Sequence, residues 1–161
     1  MANQNTPNGL VPYGQLYRAT AYVAGSTCYP NDPVALASDG QVDPSVTVPL
    51  LGVALNYATV GQTVMVADHP DQLFEIESDE ASAAADVGLN STLALGSPST
   101  LYKMSRAYLD GSTAATSNPT YAVKILGIAP TVGNTASSDN VNVIVKINNH
   151  LLGSSTGTDG L

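Results

Sequence analysis

The chain holds one cysteine, one phenylalanine and no tryptophan in 161 residues, and only 11% of its residues are charged. A single thiol, Cys28, excludes an intrachain disulfide. No histidine lies near it in sequence to serve as a base, so it reads as a small buried apolar side chain rather than a nucleophile. Basic residues are just as scarce. Arg18, Lys103, Arg106, Lys124 and Lys146 face 13 Asp and Glu, for a net charge of −8. That balance repels phosphate backbones and anionic lipid surfaces, so neither nucleic acid nor a membrane is an expected partner. No run approaches the roughly 18 apolar residues of a membrane-spanning helix. The opening MANQNTPNG lacks the basic and apolar regions of a secretory signal, and we expect a protein made and assembled in a cytoplasm. The motifs of catalysis are missing as well: there is no G-x-S-x-G, no G-x-G-x-x-G and no phosphate loop. We therefore expect no enzyme and no cofactor.

What the chain does have is 43% hydrophobic residues in short runs broken by Gly, Pro, Ser, Thr and Asn. This is the make-up of an all-β protein with many turns. The central stretch 50–79, LLGVALNYATVGQTVMVADHPDQLFEIESD, reads as three strands. Residues 50–55 form an almost unbroken apolar run. Residues 63–67 alternate, with Val64 and Val66 on one face. Residues 73–77 alternate again, with Phe74 and Ile76 inward and Glu75 and Glu77 outward. Further strands are expected at 16–23, 34–37, 92–95, 101–109, 121–126 and 141–147. In the first of these Leu16, Arg18, Thr20 and Tyr22 share a face; in the last Val141, Val143, Val145 and Ile147 do. Asp39-Gly40 and Asp110-Gly111 are hairpin signals, the first suiting a type I′ turn. Pro44 and Pro49 assign 41–49 to an edge or a loop. Three consecutive alanines in EASAAADVG make the one helix candidate. The fold class is then a jelly-roll-like β-sandwich or small β-barrel, with at most one short helix near 80–87. Residues 1–14 read as an extended N-terminal arm, 15–152 as a single β domain and 153–161 as a flexible tail.

The densest polar cluster is Asp68-His69-Pro70-Asp71. With His150 added it could be weighed as a metal site. Only two histidines exist in the chain, however, and the glycine-containing, Asp-rich loop of a calcium site is not there. The better reading has Asp68 and Asp71 accepting backbone N–H groups while Pro70 fixes the turn, and no metal is expected. Eight tyrosines suit protein interfaces and sandwich edges alike.

Three runs carry a likeness to a known family: GVALNYATVGQTVMVADHPDQLFEIESD, ILGIAPTVGN and VNVIVKINNHLL. Over residues 10–152 the chain resembles the small capsid decoration (cement) proteins of tailed bacteriophages. The most specific pieces are Asp68 to Glu75, Leu126-Gly127-Ile128 and Ile147-Asn148-Asn149-His150. The Gly/Ser/Thr-rich tail departs from the pattern. The resemblance implies a β-rich structural subunit on the outer surface of a phage head, assembled in the bacterial cytoplasm. It would form a small homo-oligomer, a dimer or trimer, and bridge copies of the major capsid protein. Candidate contacts follow from position: Leu10, Pro12, Tyr13, Tyr17 and Arg18 near the arm, Asp68, His69, Asp71 and Gln72 in the central loop, and Asn148, Asn149 and His150 at the close. For the last two groups a structural role, tying loop backbone, competes with contact. The rival to this reading is a receptor- or carbohydrate-binding β-sandwich module, disfavoured by the lack of tryptophan.

Overall fold

The alternations written into the sequence become eleven strands in the computed structural model, which describes residues 3–82 and 84–161. They are β1 (Val11–Tyr13), β2 (Thr20–Ala24), β3 (Pro33–Leu36), β4 (Gln41–Pro44), β5 (Gly52–Ala54), β6 (Thr63–Ala67), β7 (Leu73–Glu77), β8 (Asn90–Ala94), β9 (Tyr108–Ala115), β10 (Val123–Ile128) and β11 (Asn142–Ile147). Strands β2-β4-β3-β5-β6 close into a small barrel, and the rest form a six-stranded sheet in the order β1-β7-β11-β10-β8-β9. The fold is all-β. The sheet is antiparallel throughout; the barrel closes through antiparallel β2–β6 and parallel β2–β4 pairs.

Two apolar clusters hold these layers. Val34, Val42, Leu51, Val64 and Val66, with Ala24, Cys28, Ala54 and Ala58, fill the barrel. Burial pushes the Cys28 thiol up to about 11, helped by the nearby Asp32 and Asp43 carboxylates. The larger cluster lies between barrel and sheet. Phe74, Ile76, Val143, Val145, Val123 and Ile125 meet Leu50, Val53 and Ala67 from the barrel wall. Strand β5 and the residue before it serve both cores, Leu51 and Ala54 belonging to the barrel cluster and Val53 to the larger one. Gly52 lets it approach β6 closely, since a Cβ there would sit 2.1 Å from the Ala67 carbonyl oxygen.

Several expectations need correction. The N-terminal segment is not a loose arm. Leu10 is fully buried in the larger core, Val11–Tyr13 pairs with β7, and Gly9 and Leu10 donate to the carbonyls of Ala107 and Asn31 at 3.1 and 2.9 Å. The buried leucine and the strand that follows it anchor the segment together. Pairing of the strand read over 16–23 starts only at Thr20. In the β3–β4 hairpin, Gly40 alone has positive φ (82°) and its N–H donates to the Ala37 carbonyl, so the turn is not type I′. Strand β4 is no edge: it lies between β2 and β3, with Pro44 at its end where the ladder needs no further donor. The strand expected at 101–109 is instead a tight hairpin over 99–104; β9 continues through Asp110-Gly111 without a chain reversal, its register to β8 shifting between Asp110 and Ala115, and the Gly111 N–H is taken by Asp79 Oδ1 at 2.9 Å. Glu77 is buried rather than outward; its carboxylate accepts the Thr6 N–H at 3.0 Å, and burial raises its pKa against the pull of Thr6 and Arg106. Of the helix candidate, a 3₁₀ turn over Ala84–Asp86 is seen, and Ala83 lies outside the described residues. The tail folds back: Asn148 Oδ1 accepts from the Thr158 N–H and hydroxyl, and the Leu161 N–H donates to Gly88 at 3.0 Å.

Candidate functional site

The antiparallel β2–β6 pair sets Thr20 opposite Val66, so the residue two before β2 meets the residue that follows β6. There Asp68, 1% exposed, receives Arg18 Nε at 2.7 Å on one carboxylate oxygen and the Tyr22 hydroxyl at 2.9 Å on the other. Arg18 Nη2 also donates to the Asp68 carbonyl at 2.9 Å. Burial alone would raise the Asp68 pKa; hydrogen bonds from Arg18, Tyr22 and Thr20 outweigh it and hold the carboxyl below its ordinary value. Tyr22 is pushed up to about 12, first by burial and then by its bond to Asp68.

Beyond Asp68 the chain turns. Gln72 donates its N–H to the His69 carbonyl at 3.0 Å, and the Asp71 N–H donates to His69 Nδ1 at 3.1 Å. Gln72 is itself buried, and its Oε1 accepts the Tyr17 N–H at 3.0 Å. The Tyr17 ring lies 5.1 Å from the His69 ring, tilted by 39°. Asp71 pairs with Lys146 at 2.6 Å in solvent, which holds its carboxyl low; such a pair adds little to stability. The result is a ledge. Residues 14–19 lie outside the strands and are exposed, Leu16 at 43% and Tyr17 at 56%, yet are fixed from beneath by Gln72 and Asp68.

Tyr17, Arg18, Asp68, His69, Asp71 and Gln72 thus come together. His150 lies next to them, in a turn whose Gly153 sits against Pro70. It is buried, its Nδ1 accepts the Leu152 N–H at 3.1 Å, and its Nε2 has no protein partner. Burial pushes its pKa down to about 4, so it is neutral at pH 7. The remaining candidates lie elsewhere. Leu10 is core, Pro12 and Tyr13 belong to β1, and Asn148 and Asn149 donate to the Pro119 carbonyl to pin the 119–121 loop. Sequence reasoning missed Tyr22 and Lys146 as partners of the two aspartates, although the shared face of Arg18, Thr20 and Tyr22 pointed to the first.

Both Asp68 oxygens and the His150 Nδ1 are engaged, so the cluster offers support rather than an open ligand set. No group of three or more His, Cys, Asp and Glu is placed to hold a metal ion among the described residues. Because the His150 pKa is depressed from 6.5, the unfolded chain binds the extra proton between about pH 6.5 and 4, and folding stability falls as pH drops through that window. His150→Asn keeps an acceptor for Leu152 but does not titrate. Urea melts should show a flatter stability profile over that range than for the wild type; identical profiles would count against a buried neutral histidine.

No family model matches the chain, and no curated protein matches its sequence.

Proposed function

We propose that the chain is a structural virion protein that binds the outer surface of a tailed-phage head and cross-bridges major capsid protein subunits to stabilise the shell. The observation that carries this reading is the ledge: large apolar side chains held outward on a backbone that is fixed before any partner arrives. Pre-organisation lowers the ordering cost of association. Tyrosine is also a favoured anchor residue, with a large apolar body and a polar tip. The net charge of −8 suits a place outside the shell, away from packaged nucleic acid. Presentation of many copies along a lattice gives avidity, so a small contact suffices at each site.

The test is co-sedimentation with heads purified without the protein. A Leu16→Ser/Tyr17→Ala variant should bind about 30-fold more weakly, as expected for loss of an anchor pair, with an unchanged circular-dichroism spectrum. Wild-type protein that stays in the supernatant, or a variant that binds undiminished, would refute the assignment of the ledge.

A further inference from the structure

The barrel end opposite the ledge carries a second exposed feature. Residues 99–104 fold into a tight hairpin, with Ser99 and Met104 exchanging backbone hydrogen bonds at 2.9 and 3.2 Å. Its tip presents Leu101 at 80% and Tyr102 at 70% exposure. Lys103 takes up a left-handed φ of 52°, uncommon for a side chain of its kind. Its ammonium lies 4.3 Å over the Tyr57 ring, which packs edge-on to Tyr29. The tip is therefore braced in a conformation that holds two large apolar groups in water.

At the foot of this hairpin lies a groove of about 610 Å³, whose lining includes Gly96, Ser97, Glu77, Asp79, Arg106 and Tyr108. Two carboxylates face one guanidinium there. The hairpin segment 95–105, LGSPSTLYKMS, has no acidic residue and carries Lys103, on a chain of net charge −8. Knob and groove are adjacent on one surface and opposite in charge, and the groove has room for a leucine and a tyrosine side chain together. Adjacent, mutually complementary features let each copy give and receive the same contact, as a closed symmetric assembly requires.

We propose that the Leu101–Tyr102–Lys103 tip of one copy seats in the Glu77–Asp79 groove of a second copy. This deepens the proposed function by naming the surface of self-association, and leaves the ledge free for the shell.

Sedimentation of the full-length protein without heads tests it. The wild type should run as a dimer or trimer. Leu101→Ser/Tyr102→Ser should raise the dissociation constant by about 30-fold or more, the loss expected of a central anchor. Ser97→Trp, which fills the groove and leaves the tip intact, should dissociate the assembly as well. All three positions are exposed, so circular dichroism should be unchanged. A monomeric wild type, or both variants assembling as tightly as wild type, overturns the proposal. Because heads are absent, either result is separate from the fate of the ledge.

Discussion

Phe74→Ala is expected to remove about 3–5 kcal/mol of folding stability, the usual range for emptying an aromatic site in a core. Phe74 is the chain's one phenylalanine and is 1% exposed. Its strand lies between β1 and β11, opposite Pro12 on one side and Val145 on the other, and its side chain belongs to the cluster that joins sheet to barrel. Neighbouring strands are hydrogen-bonded to β7 and cannot collapse far into the space. The melting temperature should fall by about 6–20 °C for a domain of this size. Phe74→Leu, which keeps most of the volume, should cost well under half as much. Equal losses in the two variants would show that the site is not tightly packed.

The second large effect is expected at Arg18. Arg18→Ala leaves the Asp68 carboxylate buried with only hydroxyl donors, while Asp68→Ala leaves an arginine whose side chain is already 45% exposed. Removal of the cation should therefore cost more, about 2–3 kcal/mol, below the range of a fully buried pair because Arg18 reaches solvent. The pH dependence follows from the sign of the shift. Asp68 is held below its ordinary 3.8 in the folded wild type, so its contribution is present above that value and is lost as pH falls through the folded pKa. In Arg18→Ala the same burial acts without the guanidinium, so the Asp68 pKa rises from its wild-type position and protonation relieves the buried carboxylate at a higher pH than in the wild type. The gap between wild type and Arg18→Ala should narrow from pH 7 toward pH 4 in urea melts. A gap of constant size would mean that Arg18 acts through packing of its stem alone.

Most of the fold was legible where a period of two met a buried face. Residues 63–67 and 73–77 were bounded correctly because Val64, Val66, Phe74 and Ile76 alternate against polar neighbours. The shared face of Arg18, Thr20 and Tyr22 was legible too, and all three hydrogen-bond Asp68. What local pattern could not show was long-range pairing. Leu10 follows a polar stretch, and it is held in the core where the backbone of Gly9 and Leu10 bonds to Ala107 and Asn31, far along the chain. Residues 101–109 have a strand's alternation, but Lys103 turns the backbone left-handed and sends Leu101 and Tyr102 into water. Glu77 alternates as a surface residue would, yet is buried, with the Thr6 N–H returning from far along the chain to its carboxylate. The ledge was half visible: Tyr17 and Arg18 were named and Leu16 was not, and that the segment is rigid rests on Gln72, whose amide reaches back over 55 positions to the Tyr17 N–H.

Closure of β2 to β6 into a ring has a further consequence. A barrel has no free ribbon margin, so half of this molecule offers no template for another chain to zip onto. The open sheet guards its two margins in other ways. Outermost β1 carries Pro12, which cannot donate, and the early N–H of outermost β9 at Gly111 is occupied by Asp79. Edge-to-edge pairing between crowded copies is thus opposed on the barrel side by closure and on the sheet side by these two blocks.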